Sequence, residues 1–139
     1  MVTKVLSLYC SNAPKDGLGA GEERIICDGP LYPDLLTKID CISVYPTTLR
    51  AIDFIALHKV DLGDLRDWVK KALRHGKYIN SQWCLGSSPK GLFACDSYCV
   101  SGDLYMPKNK KNEHTEIYVK VCITKAGSAV AILSFHPSY

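Results

Sequence analysis

The residues of this 139-residue chain best suited to chemistry are its seven cysteines and four histidines, which can act as nucleophiles, general bases or metal ligands. Cys95 and Cys99, in "CDSYC", stand four apart, with Cys84 and His75 upstream. Structural zinc usually gathers its ligands as two close pairs on tight turns, whereas strand residues four apart share a face but lie too far apart for one ion. No second pair has matching spacing, so no metal site is expected. A cysteine nucleophile would need a histidine base brought near it by the fold. His58, His75, His114 and His136 are all available, and no spacing selects among them.

The familiar catalytic and nucleotide-binding signatures are missing: there is no Gly-x-Ser-x-Gly elbow, His-Glu-x-x-His pair, Gly-x-Gly-x-x-Gly turn or Walker loop. The glycine-rich "DGLGAG" precedes charged residues rather than a helix and reads as a flexible loop. Asp61, Asp64 and Asp67 fall around a helix N-terminus, where negative charge is stabilising whatever the function. No catalytic residue and no cofactor is therefore expected. A Cys/His enzyme assembled only in three dimensions is an alternative to a non-enzymatic protein.

The other chemical feature is charge. The net charge is +3 and the isoelectric point near 8.4, so placement of the lysines matters more than their total. Lys70, Lys71, Arg74 and Lys77 follow one helix face and its end; Lys108, Lys110 and Lys111 sit in the loop "PKNKKNEH". If the fold aligned the two groups, they would face phosphates of lipid headgroups or of RNA, with Tyr78, Tyr105 and Tyr118 nearby to stack on bases or sit at a lipid interface.

The elements that must position these residues are legible in part. Lys4 to Tyr9 reads as a first strand, 11–23 as a loop expected to be mobile, and Arg24 to Cys27 as a short strand. Leu35 to Tyr45 alternates as a strand with one buried face. Thr48 to Leu57 has helical spacing. Leu62 to Arg74 is the clearest helix, with Leu65, Trp68, Val69, Ala72 and Leu73 on one side and Gly76 at its end. From Gly91 the pattern is β: Leu92 to Val100, Leu104 to Met106, Thr115 to Thr124 with Ile117, Val119, Val121 and Ile123 inward, and Ala129 to His136. That last strand is too apolar to be left as a free edge. The expectation is one α+β domain over 1–139, an antiparallel sheet of five or six strands packed with two helices.

At 47% hydrophobic and 22% charged residues, with mean hydropathy −0.02, the chain can bury a core and shows no sign of disorder. No apolar run approaches the length of a membrane-spanning helix, so membrane contact would be peripheral. The N-terminal apolar stretch is too short for a signal peptide, and an odd number of cysteines among apolar neighbours suggests a reducing compartment.

In the C-terminal half, "CVSGDLYMP", the basic "KNKKNEH" and "TEIYVKVCIT" follow an amphipathic helix. The order resembles that of rhabdovirus matrix proteins, over roughly Leu35 to Lys125, in a short form such as a plant- or insect-infecting member would carry. The long Lys-rich arm and the Pro-Pro-x-Tyr signal of many members are absent here. The resemblance implies a non-enzymatic viral structural protein that self-associates and bridges viral ribonucleoprotein to anionic lipid headgroups. Its place would be the virion beneath the envelope, the host cytoplasm and the inner membrane face. An RNA-binding viral accessory protein using the same lysines is the alternative. Against that background, Tyr32, Pro33 and Leu35 of "LYPDL" form a candidate budding motif, docked as an extended peptide on the host membrane-scission machinery. The other reading of "LYPDL" is a turn whose side chains tuck into the core.

Overall fold

The computed structural model describes residues 4–11, 13–14, 24–26, 29–87 and 90–137. They form one α+β unit: β1 (Arg24–Ile26), α1 (Leu35–Lys38) running into a 3-10 turn (Ile39–Cys41), β2 (Ser43–Pro46), α2 (Leu49–Leu57), α3 (Leu62–His75), β3 (Lys77–Ser87), β4 (Lys90–Met106), β5 (Lys111–Ile123) and β6 (Ala129–Pro137). The six strands make a single sheet in the order β1-β3-β4-β5-β6-β2. All pairings are antiparallel except β2 with β6. The apolar β6 is covered along Ala129 to Ile132 by that parallel partner.

Cross-strand partners point to the same side of a sheet, so register assigns its faces. Tyr98, Val119 and Phe135 form one such row and carry the helices. Trp68 of α3 meets the Phe135 ring edge-on at 5.7 Å, and Phe54 of α2 meets it at 5.8 Å. The inward residues of α3 (Leu65, Trp68, Val69 and Ala72) are buried at helical spacing, as are Ile117, Val119, Val121 and Ile123 of β5 at strand spacing. Gly102 lets Trp68 close on β4: a Cβ there would lie 2.8 Å from the indole. At the start of α3, Asp61 and Asp64 complete a reciprocal capping box, which uses two of the three carboxylates in that cluster.

Three expectations change. Leu35 to Tyr45 is not one strand: Leu35 and Ile39 are both fully buried, and their spacing of four suits a helical turn against the core, so only Ser43 onward is extended. Three helices therefore pack on the sheet, not two. Strand β3 breaks the apolar alternation with Asn80, Ser81 and Gln82 and carries a bulge between Tyr78 and Asn80, which hid it. Leu92 to Val100 and Leu104 to Met106 are parts of one continuous strand. Most of the loop expected over 11–23 lies outside the described residues, as does Cys27.

Residues 4 to 8 form no ladder of their own but insert as an extended segment between two strands. The β4–β5 register ends at Asp96 and Val121. Beyond that point Leu6 N donates to Leu92 O and Leu92 N to Lys4 O on one side; Leu8 N donates to Ile123 O and Lys125 N to Leu6 O on the other, each at 2.8 Å. The segment is thus parallel to β4 and antiparallel to β5.

The "LYPDL" segment is fixed to the sheet from within. Tyr32 is 5% and Leu35 1% exposed, and Tyr32 Oη donates to Ala94 O at 2.5 Å. A docked peptide would need both side chains outward, so the candidate budding motif gives way to the turn reading; only Pro33 and Asp34 of the five are exposed.

Candidate anion-binding groove

The sheet face opposite the helices is ordered in rows. Lys77, Cys99, Tyr118 and His136 lie side by side across β3 to β6; Asn80, Ser97, Lys120 and Ser134 form the next row. Below them, Gln82 lies opposite Cys95, and Cys122 opposite Ala131. This face is polar, yet largely withdrawn from solvent: Gln82 is 2%, Ser97 0% and Lys120 4% exposed. Buried polar groups persist only when hydrogen-bonded. Here Gln82 Nε2 donates to Ser97 Oγ at 3.3 Å and to Tyr118 Oη at 3.2 Å, and Tyr118 Oη donates to Ser97 Oγ at 3.0 Å.

The half-buried first row opens into two concavities that share Ile79 and Cys99. One, of about 480 Å³, is lined by Lys120, Tyr118, His136 and Ser134 and closed by Thr48 and Arg50 at the start of α2. The other, of about 670 Å³, continues past Lys77 to Lys71 and His75 of α3, with Glu116 on its floor. Four cationic side chains thus line the groove against one carboxylate. The Tyr118 and His136 rings are stacked, with centroids 5.3 Å apart and planes 23° apart, and Lys120 Nζ lies 5.7 Å from the Tyr118 centroid. Such a surface can hold phosphate by charge and a planar base by stacking.

The lysines singled out from the sequence divide. Lys71 and Lys77 line the groove. Lys70 is directed elsewhere, to Asp40 at 3.0 Å, and Arg74 is exposed on α3. Lys108, Lys110 and Lys111 are exposed at the β4–β5 hairpin, whose first pair is Met106 with Lys111. Lys77 lies opposite Cys99, seven β4 residues away, or about 23 Å at strand rise. The two basic groups are therefore separate surfaces. Of the three tyrosines, Tyr118 is on the groove floor, Tyr78 borders the second concavity while its ring packs edge-on against Tyr98, and Tyr105 lies away from the groove under Lys59. Arg50, Lys120 and His136 are groove residues that sequence reasoning missed. Lys120 had a signal, since it falls between the inward Val119 and Val121 and hence on the opposite face.

Elsewhere, a smaller cavity of about 320 Å³ between α3 and the end of β4 mixes Lys59 and Lys71 with Asp64, Asp67 and Asp103 and has no dominant charge. Among the described residues no group of three or more His, Cys, Asp or Glu is placed to hold a metal ion. Among the described residues, Cys10, Cys41, Cys84, Cys95 and Cys122 are free thiols. The hydrogen bond with Cys95, then burial, pushes the Cys84 thiol up; burial does the same to Cys95, with Lys120 opposing both. Thiols held protonated are poor nucleophiles.

Buried acids of this kind couple stability to alkaline pH. Burial also raises the Tyr32 phenol, and raises Tyr98 to about 12, with Asp96 and Tyr78 adding to the latter. Above the ordinary values of 9.0 for thiols and 10.0 for phenols, the unfolded chain releases these protons while the folded chain keeps them. Stability is thus fully present below about pH 9 and falls as pH rises toward the folded-state values. Urea midpoints measured from pH 7 to 11 are expected to be level at first and then drop; a level profile throughout would contradict the burial of these groups.

This arrangement defines the protein as an α+β domain with a helix-covered sheet face and a basic, aromatic groove on the other. Comparison with protein families, curated proteins and solved structures finds nothing that matches the chain.

Proposed function

We propose that this protein is a non-enzymatic RNA-binding protein that holds single-stranded RNA in the groove. The observation that carries the reading is the convergence on one groove of Lys77, Lys120 and the stacked Tyr118 and His136 from the sheet with Arg50 of α2 and Lys71 of α3. Single strands are bound by this combination of a cationic track and an aromatic ledge, and a cavity of a few hundred Å³ accommodates one nucleotide. In this reading the base stacks on the ledge, with the buried Lys120 beneath it, while flanking phosphates meet Arg50 on one side and Lys77 and Lys71 on the other. Anisotropy titration of a labelled single-stranded RNA tests it. Affinity is expected to fall with salt at a slope of about −0.7 per phosphate engaged. Saturation that ignores salt, or no binding at low salt, would sink the reading.

One further observation favours the matrix-type role. The exposed Lys108, Lys110 and Lys111 form a second basic surface about 23 Å along β4 from the groove. A single copy could then hold ribonucleoprotein at the groove and anionic lipid headgroups at the hairpin, as a bridging viral structural protein must. Reversing all three hairpin lysines to Glu is expected to abolish salt-sensitive cosedimentation with anionic vesicles and to leave RNA affinity within about twofold, since exposed charges beyond a Debye length are largely screened. Loss of RNA binding in that variant would place the RNA on the hairpin instead.

A further inference from the structure

We infer that the cleft between β4 and β5 is a strand-acceptor site and that its partner is the N-terminal segment, residues 4–8, of a second copy of this chain. The site is defined by what already occupies it. Where β4 and β5 separate, Leu92 on one side and Ile123 and Lys125 on the other bond the inserted segment through four main-chain hydrogen bonds. Two side-chain features set its register. Ser7, fully buried, accepts from Ala94 N at 3.0 Å and donates to Tyr9 O at 2.6 Å. Leu6 lies against Gly91, where any Cβ would collide with its side chain. Only an extended peptide with a small hydroxyl residue following a leucine satisfies both walls.

Nothing in these contacts requires donor and acceptor to belong to one chain. The segment is followed by Ala13, which packs against the core, and the buried Pro14; the nine residues Lys15 to Glu23 beyond them reach about 30 Å at full extension. The segment's bridges to the sheet are isolated rather than part of a continuous ladder, so opening costs these bonds and the packing of Val5, Leu6 and Tyr9 against the core, with no ladder to unzip. Insertion in a neighbour restores every one of them, which makes exchange of an identical element a low-cost route to association. The resulting contact has main-chain bonds for affinity and the Leu6 and Ser7 positions for specificity, as strand addition generally does. The inference stands apart from RNA binding, because the cleft and the groove use different residues.

Complementary variants of the full chain test it. Leu6→Asp spoils the donor and leaves an acceptor; Gly91→Val blocks the acceptor and leaves a donor. By sedimentation velocity each alone is expected to be monomeric, and an equimolar mixture to form a heterodimer. A labelled peptide of residues 2–11 should bind the Leu6→Asp chain one to one and fail to bind the Gly91→Val chain. Monomers throughout the mixture, with both chains folded by circular dichroism, would overturn the inference. Should either variant fail to fold, hydrogen exchange on the wild type decides. The Leu6, Leu8, Leu92 and Lys125 amides are expected to exchange together, well before the Val119 amide. Exchange of all of them at the rate of Val119 would show that the segment does not leave its cleft.

Discussion

Replacing Asp96 by alanine is expected to lower the stability of the fold by about 3 kcal/mol or more, the largest effect foreseen for any single side chain here. Asp96 is 1% exposed and is the hub on which the "LYPDL" segment hangs. Its carboxylate accepts from Leu31 N at 2.9 and 3.0 Å, from Tyr32 N at 3.2 Å and from Ser81 Oγ at 2.6 Å; Ser81 is in turn bonded to Tyr78 Oη at 2.6 Å. Hydrogen bonds to a charged acceptor contribute more than neutral ones, and deleting the acceptor strands buried donors from two parts of the chain. Tyr32 and Leu35 lose the tether that holds them against the core. Asp96→Asn keeps one oxygen and should cost about half as much. Urea denaturation is the check: the midpoint should fall with little change in slope. A midpoint within error of wild type would show that these bonds are not what holds the segment.

The second large effect concerns binding. Arg50→Glu/Lys71→Glu/Lys77→Glu is expected to weaken single-stranded RNA binding at least about 100-fold and to flatten the salt dependence by about two units of slope, because three phosphate partners become repulsive. All three side chains are exposed, so the substitutions should leave the fold intact. Lys120 is left alone for the opposite reason: it is buried and lies over Tyr118. Tyr118→Ala should add an independent loss of about 1–3 kcal/mol that salt does not change, since stacking rather than charge is removed. A variant that loses affinity without losing salt slope would indicate that the three cations act indirectly.

The sequence carried the regular parts of this fold and little of its site. Leu65, Trp68, Val69 and Ala72 had to form one helical face, and Ile117 to Ile123 one strand face, because both patterns repeat long enough to override local exceptions. The turn into α1 was misread because Leu35 and Ile39 satisfy strand alternation and helical spacing equally, and only the core they enter decides between them. Strand β3 was hidden by Asn80, Ser81 and Gln82, which look solvent-exposed in a linear reading, whereas Ser81 and Gln82 are buried and bonded to Asp96, Ser97 and Tyr118 across the sheet and Asn80 is half-buried. The groove was invisible for the same reason. Arg50, Lys77, Lys120 and His136 come from four separate elements, and only the register of β3 to β6 and the start of α2 bring them to one face. Lysines adjacent in sequence, at 108, 110 and 111, drew attention to the hairpin, whereas distance along β4 separates them from the rest.

Mapping RNA contacts by amide chemical-shift perturbation tests the central claim most directly. On addition of a short single-stranded RNA, the shifts are expected to concentrate in Lys77 to Asn80, Ser97 to Ser101, Glu116 to Lys120 and Ser134 to His136, with the Pro107 to Asn112 hairpin unmoved. Perturbations confined to the hairpin or to the helix-covered face, or none at saturating RNA, would contradict the assignment of the groove.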